Sequence, residues 1–173
     1  MNKNSSADFV AQLCPNCGLC CNGVLFADVK LRKEDDLRQL ARLGLPLEKK
    51  AGRTAFPQPC AGFDGRLCRI YADRPAYCRA FECGLLQRVQ AGELKAKAAL
   101  KTIAQARRRV ETVRRILRQS GQNDEQLALT QCYARAMRAP IELSSGEGGA
   151  GLRGKLMLAV ADLMQILQRD FLK

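Results

Sequence analysis

The 173-residue chain contains no histidine and no tryptophan. Without histidine there is no His-based catalytic triad, no His-ligated haem, no mixed Cys/His zinc finger and no imidazole to act as acid or base near neutral pH. No run approaches the ~18 apolar residues that a membrane span needs. The opening MNKNSSADFVAQL has one basic residue and no apolar stretch of ~7–15 residues, so it does not read as a secretory signal. A cytoplasmic, soluble and globular protein is expected. Such a compartment keeps thiols reduced, and cysteine patterns there read as metal-binding or catalytic rather than as disulfides. What the chain does have is cysteine: nine in all, eight of them between Cys14 and Cys83 and one outlier at Cys132.

Composition divides the chain. Residues 1 to about 90 hold eight cysteines and five of the six prolines, whereas 91–173 is rich in Ala, Leu, Arg and Gln. The first region reads as a loop from Cys14 to Gly23, an apolar stretch Val24–Phe26 and a short helix from about Leu31 to Leu43. That helix carries Leu37, Leu40 and Ala41 on one face and Gly44 as its stop. From Gly44 to Ala80 the prolines and the Gly62–Gly65 turn predict irregular structure that apolar burial alone specifies poorly. The second region reads as helical. Ala96, Ala99, Ile103, Ala106, Val110, Val113 and Leu117 repeat at three- and four-residue steps along a helix expected from about Leu85 to Gln119. A second helix is expected from Asn123 or Asp124 to Pro140, with Leu129, Cys132, Tyr133, Ala136 and Met137 on one face. A third, from about Leu152, would use Met157, Val160, Met164, Leu167 and Phe171. The expected fold is mainly α: an irregular cysteine-rich metal-binding region (1–90) packed on an antiparallel three-helix bundle (91–173) as one compact unit.

Cys14-Pro-Asn-Cys17-Gly-Leu-Cys20-Cys21 sets three thiols at two-residue gaps, close enough for a curled loop to aim them at one centre. Thiolates suit zinc, iron–sulfur clusters or Cu(I). Adjacent Cys20 and Cys21 do not readily address the same tetrahedral ion, so one of them serves a second site or packs beneath the first. Cys14–Gly18 has the form of half a zinc ribbon, without a second CxxC. The Cys14, Cys17, Cys20 triple has the form of a ferredoxin run, but Cys21 replaces its usual continuation. Further ligands must come from Cys60, Cys68, Cys78 or Cys83. Eight thiols fill two four-sulfur sites, or one cluster with four left over.

The first motif, together with Cys60-Ala-Gly-Phe-Asp-Gly-Arg-Leu-Cys68-Arg-Ile-Tyr71-Ala-Asp-Arg74-Pro75-Ala-Tyr-Cys78-Arg-Ala-Phe-Glu-Cys83, resembles the CxxCxxCC family of zinc- or iron-chelating proteins, also called YkgJ-type cysteine-cluster proteins. The resemblance covers about residues 14–85. It implies that Cys14, Cys17, Cys20, Cys21, Cys60, Cys68, Cys78 and Cys83 form one metal-binding set, with Tyr71 and Arg74 in the inter-cysteine motif. It also implies zinc or an iron–sulfur cluster such as [4Fe-4S] as cofactor. The family's flagellin-lysine methylase members, associated with an iron–sulfur cluster, point to a redox or group-transfer role with a redox or protein partner. Arg74 is placed to bond sulfur, to pair with Asp73, Asp64 or Glu82, or simply to shape the Arg-Pro turn.

Other signals are weaker. Between Glu93 and Arg118 lie nine basic and two acidic residues, a local +7 out of the chain's +12. That face either stays solvated or meets nucleic acid or an acidic protein, which defines an alternative function: a zinc-stabilised binding module. No aromatic residue interrupts it to stack on bases. The stretch Gly149–Leu156 imitates a phosphate-binding loop, but Leu156 stands where Ser or Thr must hold magnesium. Cys132 reads as a small core side chain.

Overall fold

The computed structural model describes residues 6–139 and 147–172. Among these residues, seven helices and three strands follow in the order α1 (Ser6–Cys17), β1 (Asp28–Lys30), α2 (Leu37–Arg42), β2 (Glu48–Lys50), β3 (Arg53–Pro57), α3 (Ala76–Ala80), α4 (Gly84–Gln90), α5 (Ala96–Gln119), α6 (Leu129–Arg138) and α7 (Glu147–Asp170). The chain is mainly α, with one small sheet.

Helix α5 is the centre of the larger core. Its buried stripe Ala99, Ile103, Ala106, Val110, Val113, Ile116 and Leu117 follows the expected three- and four-residue steps, and α1, α4, α6 and α7 all pack on it. The arrangement is broader than a three-helix bundle. Leu13, Leu19 and Val24 from the N-terminal arm share this core with Leu85, Leu86 and Val89 of α4 and with Leu163, Ile166, Leu167 and Phe171 at the far end of the chain. Arg153 of α7 donates to the carbonyls of Ala136, Met137 and Ala139 (3.1, 2.5 and 2.8 Å), closing the C-terminal turn of α6.

Several expected boundaries are corrected. Cys14 to Cys17 form the last turn of α1 rather than a loop, because Phe9, Val10, Leu13 and Cys17 lie toward the core. The helix expected at 31–43 covers only Leu37–Arg42: Asp36 caps it by accepting from the Gln39 amide at 3.0 Å. Gly44, at φ +87°, does end it. The helix expected at 85–119 is two helices. Gly92 takes φ +77°, and Glu93 and Leu94 bond back to the Arg88 carbonyl, so α4 closes in a left-handed turn before α5 begins. Asp124 does not start α6; it caps a turn through the Gln126 amide, and α6 begins at Leu129 with the Gln131 side chain accepting from the Ala128 N–H. The last helix starts at Glu147; of its expected face Leu167 and Phe171 are buried and Val160 and Met164 pack on the core, whereas Met157 is 49% exposed and Leu156, Leu163 and Ile166 are buried beside them. Pro140 lies outside the described residues.

The segment expected to be irregular supplies β2 and β3 of the antiparallel sheet β1-β3-β2, and β1 precedes it. Val29 pairs with Phe56, and Lys49 with Thr54. Strands β2 and β3 are joined by Ala51 and Gly52, both with positive φ (48° and 74°), as a two-residue turn requires. One face covers a second, smaller core of Val29, Leu40, Leu45, Phe56 and Ile70.

Candidate metal centre

The Cys14–Cys21 arm is anchored by Leu13 (3% exposed), just before Cys14, and by Leu19 (0%), between Cys17 and Cys20. After α1 the chain reverses at Gly18, φ +68°, and the Cys21 and Asn22 amides bond its carbonyl. A Cβ at Gly18 would come within 2.7 Å of the Phe63 ring, so at this positive φ any other residue is strained and must push Phe63 aside. Two arginines of α5 hold the outer side of the arm. Arg107 donates to the Asn16 carbonyl at 2.9 Å and Arg114 to the Asn22 carbonyl at 3.2 Å.

The second set of thiols is tied to the first through the backbone: the Cys60 amide donates to the Cys21 carbonyl at 2.8 Å. Cys68 is brought beside it by an antiparallel bridge to Phe63, closed by a turn in which Asp64 accepts from the Arg66 and Leu67 amides. Cys78 lies in α3, whose first amide, on Ala76, is capped by Asp35 at 2.7 Å. Cys83 immediately precedes α4. The Gly84 amide bonds the Phe171 carbonyl at 3.1 Å, so the end of α7 fixes the head of α4.

All nine cysteines are free thiols. The eight N-terminal sulfurs interact electrostatically as one group, with Cys20 at its middle. Cys20 and Cys21 Sγ are 3.9 Å apart. The hydrogen bond that the two thiols share holds Cys20 below the ordinary thiol range and pushes Cys21 well above it. Burial, and then the Cys20 and Cys83 thiols, raise Cys14 to about 12. That residue is exposed at the surface, yet the atoms packed around its sulfur desolvate it. Cys78 is likewise pushed up to about 12 by burial, then by Cys60, Cys20 and Cys68. Burial also raises Cys17, Cys60 and Cys83. Opposing it, backbone amides favour the anionic sulfur: Leu19 at Cys17, Gly62 at Cys60, Leu86 and Leu85 at Cys83. Among the described residues no three His, Cys, Asp or Glu side chains converge as a ready-made ion site.

Arg74 faces this group. Its guanidinium lies 3.6 Å over the Tyr71 ring and donates to the Tyr71 carbonyl at 3.1 Å, and its charge favours the thiolates of Cys14, Cys20 and Cys78. It pairs with none of the expected carboxylates. Asp73 accepts from Gln39, Asp64 shapes its own turn and Glu82 accepts from Gln90. Tyr71, 53% exposed, supports Arg74 rather than a sulfur. Asp35, Phe63, Arg107 and Arg114 escaped the sequence reading. Their partners lie 41 to 92 residues away, Phe63 meeting a glycine 45 residues distant.

The candidate donors are all sulfur and reduced, and backbone amides favour their anionic form at Cys17, Cys60 and Cys83. Residues 13–97 match the family model described as "CxxCxxCC: Putative zinc- or iron-chelating domain". This stretch of the chain is of the CxxCxxCC family type. No curated protein and no solved structure matches the chain. The CxxCxxCC match ends just inside α5, so most of the basic helix, α6 and α7 lie beyond it. Cys132, also outside it, is fully buried and donates to the Asp124 carbonyl at 3.2 Å, a core position. No helix among the described residues is long and apolar enough to cross a membrane.

Proposed function

We propose that the protein is a metal-binding protein in which Cys14, Cys17, Cys20, Cys21, Cys60, Cys68, Cys78 and Cys83 are thiolate ligands to zinc or to an iron–sulfur centre such as [4Fe-4S]. One observation carries this reading. Eight reduced thiols from five separate segments share one neighbourhood in which backbone amides favour anionic sulfur while burial opposes it. A bound cation resolves that conflict, because coordination deprotonates thiols outright. An iron–sulfur centre supplies one-electron chemistry when bound; zinc supplies folding energy. The chain's own part is to gather the sulfurs, shield them and set Arg74 beside them.

The test is elemental analysis of the full chain purified without oxygen, together with its visible spectrum. Zinc in a colourless protein, or iron with sulfide in a brown one bleached by dithionite, agrees with the reading. Metal-free protein with the cysteines paired as cystines overturns it.

A second reading, a zinc-stabilised binding module, draws on the unused charge of α5. Arg107 and Arg114 hold the cysteine arm, Arg109 pairs with Asp162 at 2.6 Å and Arg118 with Glu111. Lys97, Lys101, Arg108 and Arg115 are all exposed. They fall within about 40° on the helix and span ~27 Å, a stripe suited to a polyanion. Salt-dependent binding to duplex RNA or DNA that is lost when these four are neutralised supports it; no binding at low salt rejects it.

A further inference from the structure

Helix α7 turns one face to the helical core and leaves the opposite face uncovered among the described residues. Gly151, Gly154, Leu158, Ala161, Gln165 and Gln168 are all exposed and recur at alternating three- and four-residue steps, the spacing of a seam between paired helices. Leu158 is 74% exposed, and Met157 beside it is 49% exposed. None of these residues is charged, in a chain that is 27% charged. From Gly151 onward the exposed charges of the helix, Lys155, Asp162 and Arg169, stand on one flank of the seam, seven residues apart and alternating in sign. The fold itself does not need the two glycines: a Cβ at Gly151 or Gly154 would meet nothing within 4 Å. Glycine inside a helix costs stability relative to alanine, so their small size serves something outside the chain.

We propose that this face receives α7 of a second copy of the chain, running antiparallel, in a symmetric dimer that does not depend on the metal-binding reading. In an antiparallel helix pair, residues on the same flank face each other, so a flank that carries both signs at seven-residue spacing pairs with itself. In a parallel pair those charges would face the other flank, which holds Met157 and Met164. Charge also selects the register. Lys155 meets the partner's Asp162, and symmetry repeats the contact; a shift by seven residues in either direction sets two Lys155 or two Asp162 side chains against each other. Asp162 accepts from Arg109 through Oδ2 at 2.6 Å, which leaves its second oxygen for the lysine. In this register each layer joins a long side chain to a small one: Leu158 to the partner's Ala161, Gln165 to the partner's Gly154, Gln168 to the partner's Gly151. The glycines that imitate a phosphate-binding loop thus give room to the partner's glutamines. Residues 151–168 span ~26 Å of helix, so the pair buries roughly 1,000 Å² in total, the lower edge of specific interfaces, and the dimer dissociates reversibly.

Sedimentation equilibrium of the full chain, kept reduced and without oxygen, tests this at loading concentrations from ~1 to ~500 µM. A monomer–dimer equilibrium with Kd on the order of 10 µM is expected. Leu158→Glu should weaken it by ~30-fold or more and leave the circular dichroism spectrum unchanged, because that side chain touches little of its own fold. Gly154→Leu fills the seat of the partner's Gln165: it should give monomer while raising the melting temperature of the dilute chain, since leucine is the better helix former. Lys155→Glu and Asp162→Lys should each weaken self-association by about tenfold, and an equal mixture of the two should associate as wild type does, each contact then joining opposite charges. Monomer throughout the concentration range, or a dimer that Leu158→Glu leaves as tight as before, overturns the proposal. A Gly154→Leu dimer of undiminished affinity, or a mixture of the charge variants no tighter than either alone, overturns the antiparallel register.

Discussion

The helical core and the sheet core are built on very different amounts of apolar burial. The first buries 21 residues drawn from α1, α4, α5, α6, α7 and the N-terminal arm, whereas the second rests on Val29, Leu40, Leu45, Phe56 and Ile70. Around those five lie three short strands, one of them fully exposed, and two helices of six and five residues. A core this small usually needs a staple, because apolar burial does not cover the entropy of ordering the chain around it. On the proposed metal-binding reading, a bound ion should matter little for folding the helical part and decisively for the sheet part.

Metal removal should separate the two regions most sharply. A structural zinc site contributes an apparent ~10–16 kcal/mol in small peptides, so chelation is expected to unfold residues 28–80 while α5 and α7 persist. Hydrogen exchange should show amide protection lost in β1, β3 and α3 and kept in α5. Uniform loss across the chain would mean that the two cores fold as one.

The metal-free chain should also respond to alkali. Cys14 and Cys78 are held near 12 against an ordinary value of 9.0. The folded state therefore retains protons that the unfolded state releases. Their contribution is fully present below about pH 9 and is lost as pH rises toward 12. Denaturation midpoints of the metal-free chain should fall across that window. The loaded chain should instead fail on the acid side, as protons compete for sulfur.

Gly18→Ala tests the joint between the two thiol sets. The new Cβ meets the Phe63 ring and the left-handed backbone is strained, so a loss of about 1–3 kcal/mol is expected by chemical denaturation, together with weaker metal uptake. Retained stability would show that Phe63 is easily displaced. Arg114→Ala, which removes one brace from the cysteine arm, should cost about 1 kcal/mol. Arg108→Ala and Arg115→Ala, on the exposed stripe, should change stability by less than about 0.5 kcal/mol. A comparable loss in all three would deny the split between bracing and unused charge.

Much of this was legible beforehand. The α5 stripe follows from apolar spacing alone, since a helix with a repeating apolar seam must bury it wherever it lies. Cys132 was legible as core for the same reason. The cysteine motifs marked the candidate ligands, because few chemistries other than metal binding use so many thiols with no histidine. The sheet was not legible: β2 is exposed along its length, and its turn uses Ala51-Gly52 rather than the Asn-Gly or Asp-Gly pair that marks such hairpins. Gly92 was tolerable inside a helix by pattern, and only its left-handed conformation divides α4 from α5.

By itself the chain's order of residues determined that α5 would be amphipathic and that sulfur would be the donor available, because periodicity and side-chain chemistry are local properties. Tertiary structure decided which thiols are neighbours. It also decided which α5 arginines brace the cysteine arm, and that Arg74 faces sulfur rather than a carboxylate. Those relations join residues tens of positions apart, and distance in space between such residues is created only when the two cores pack.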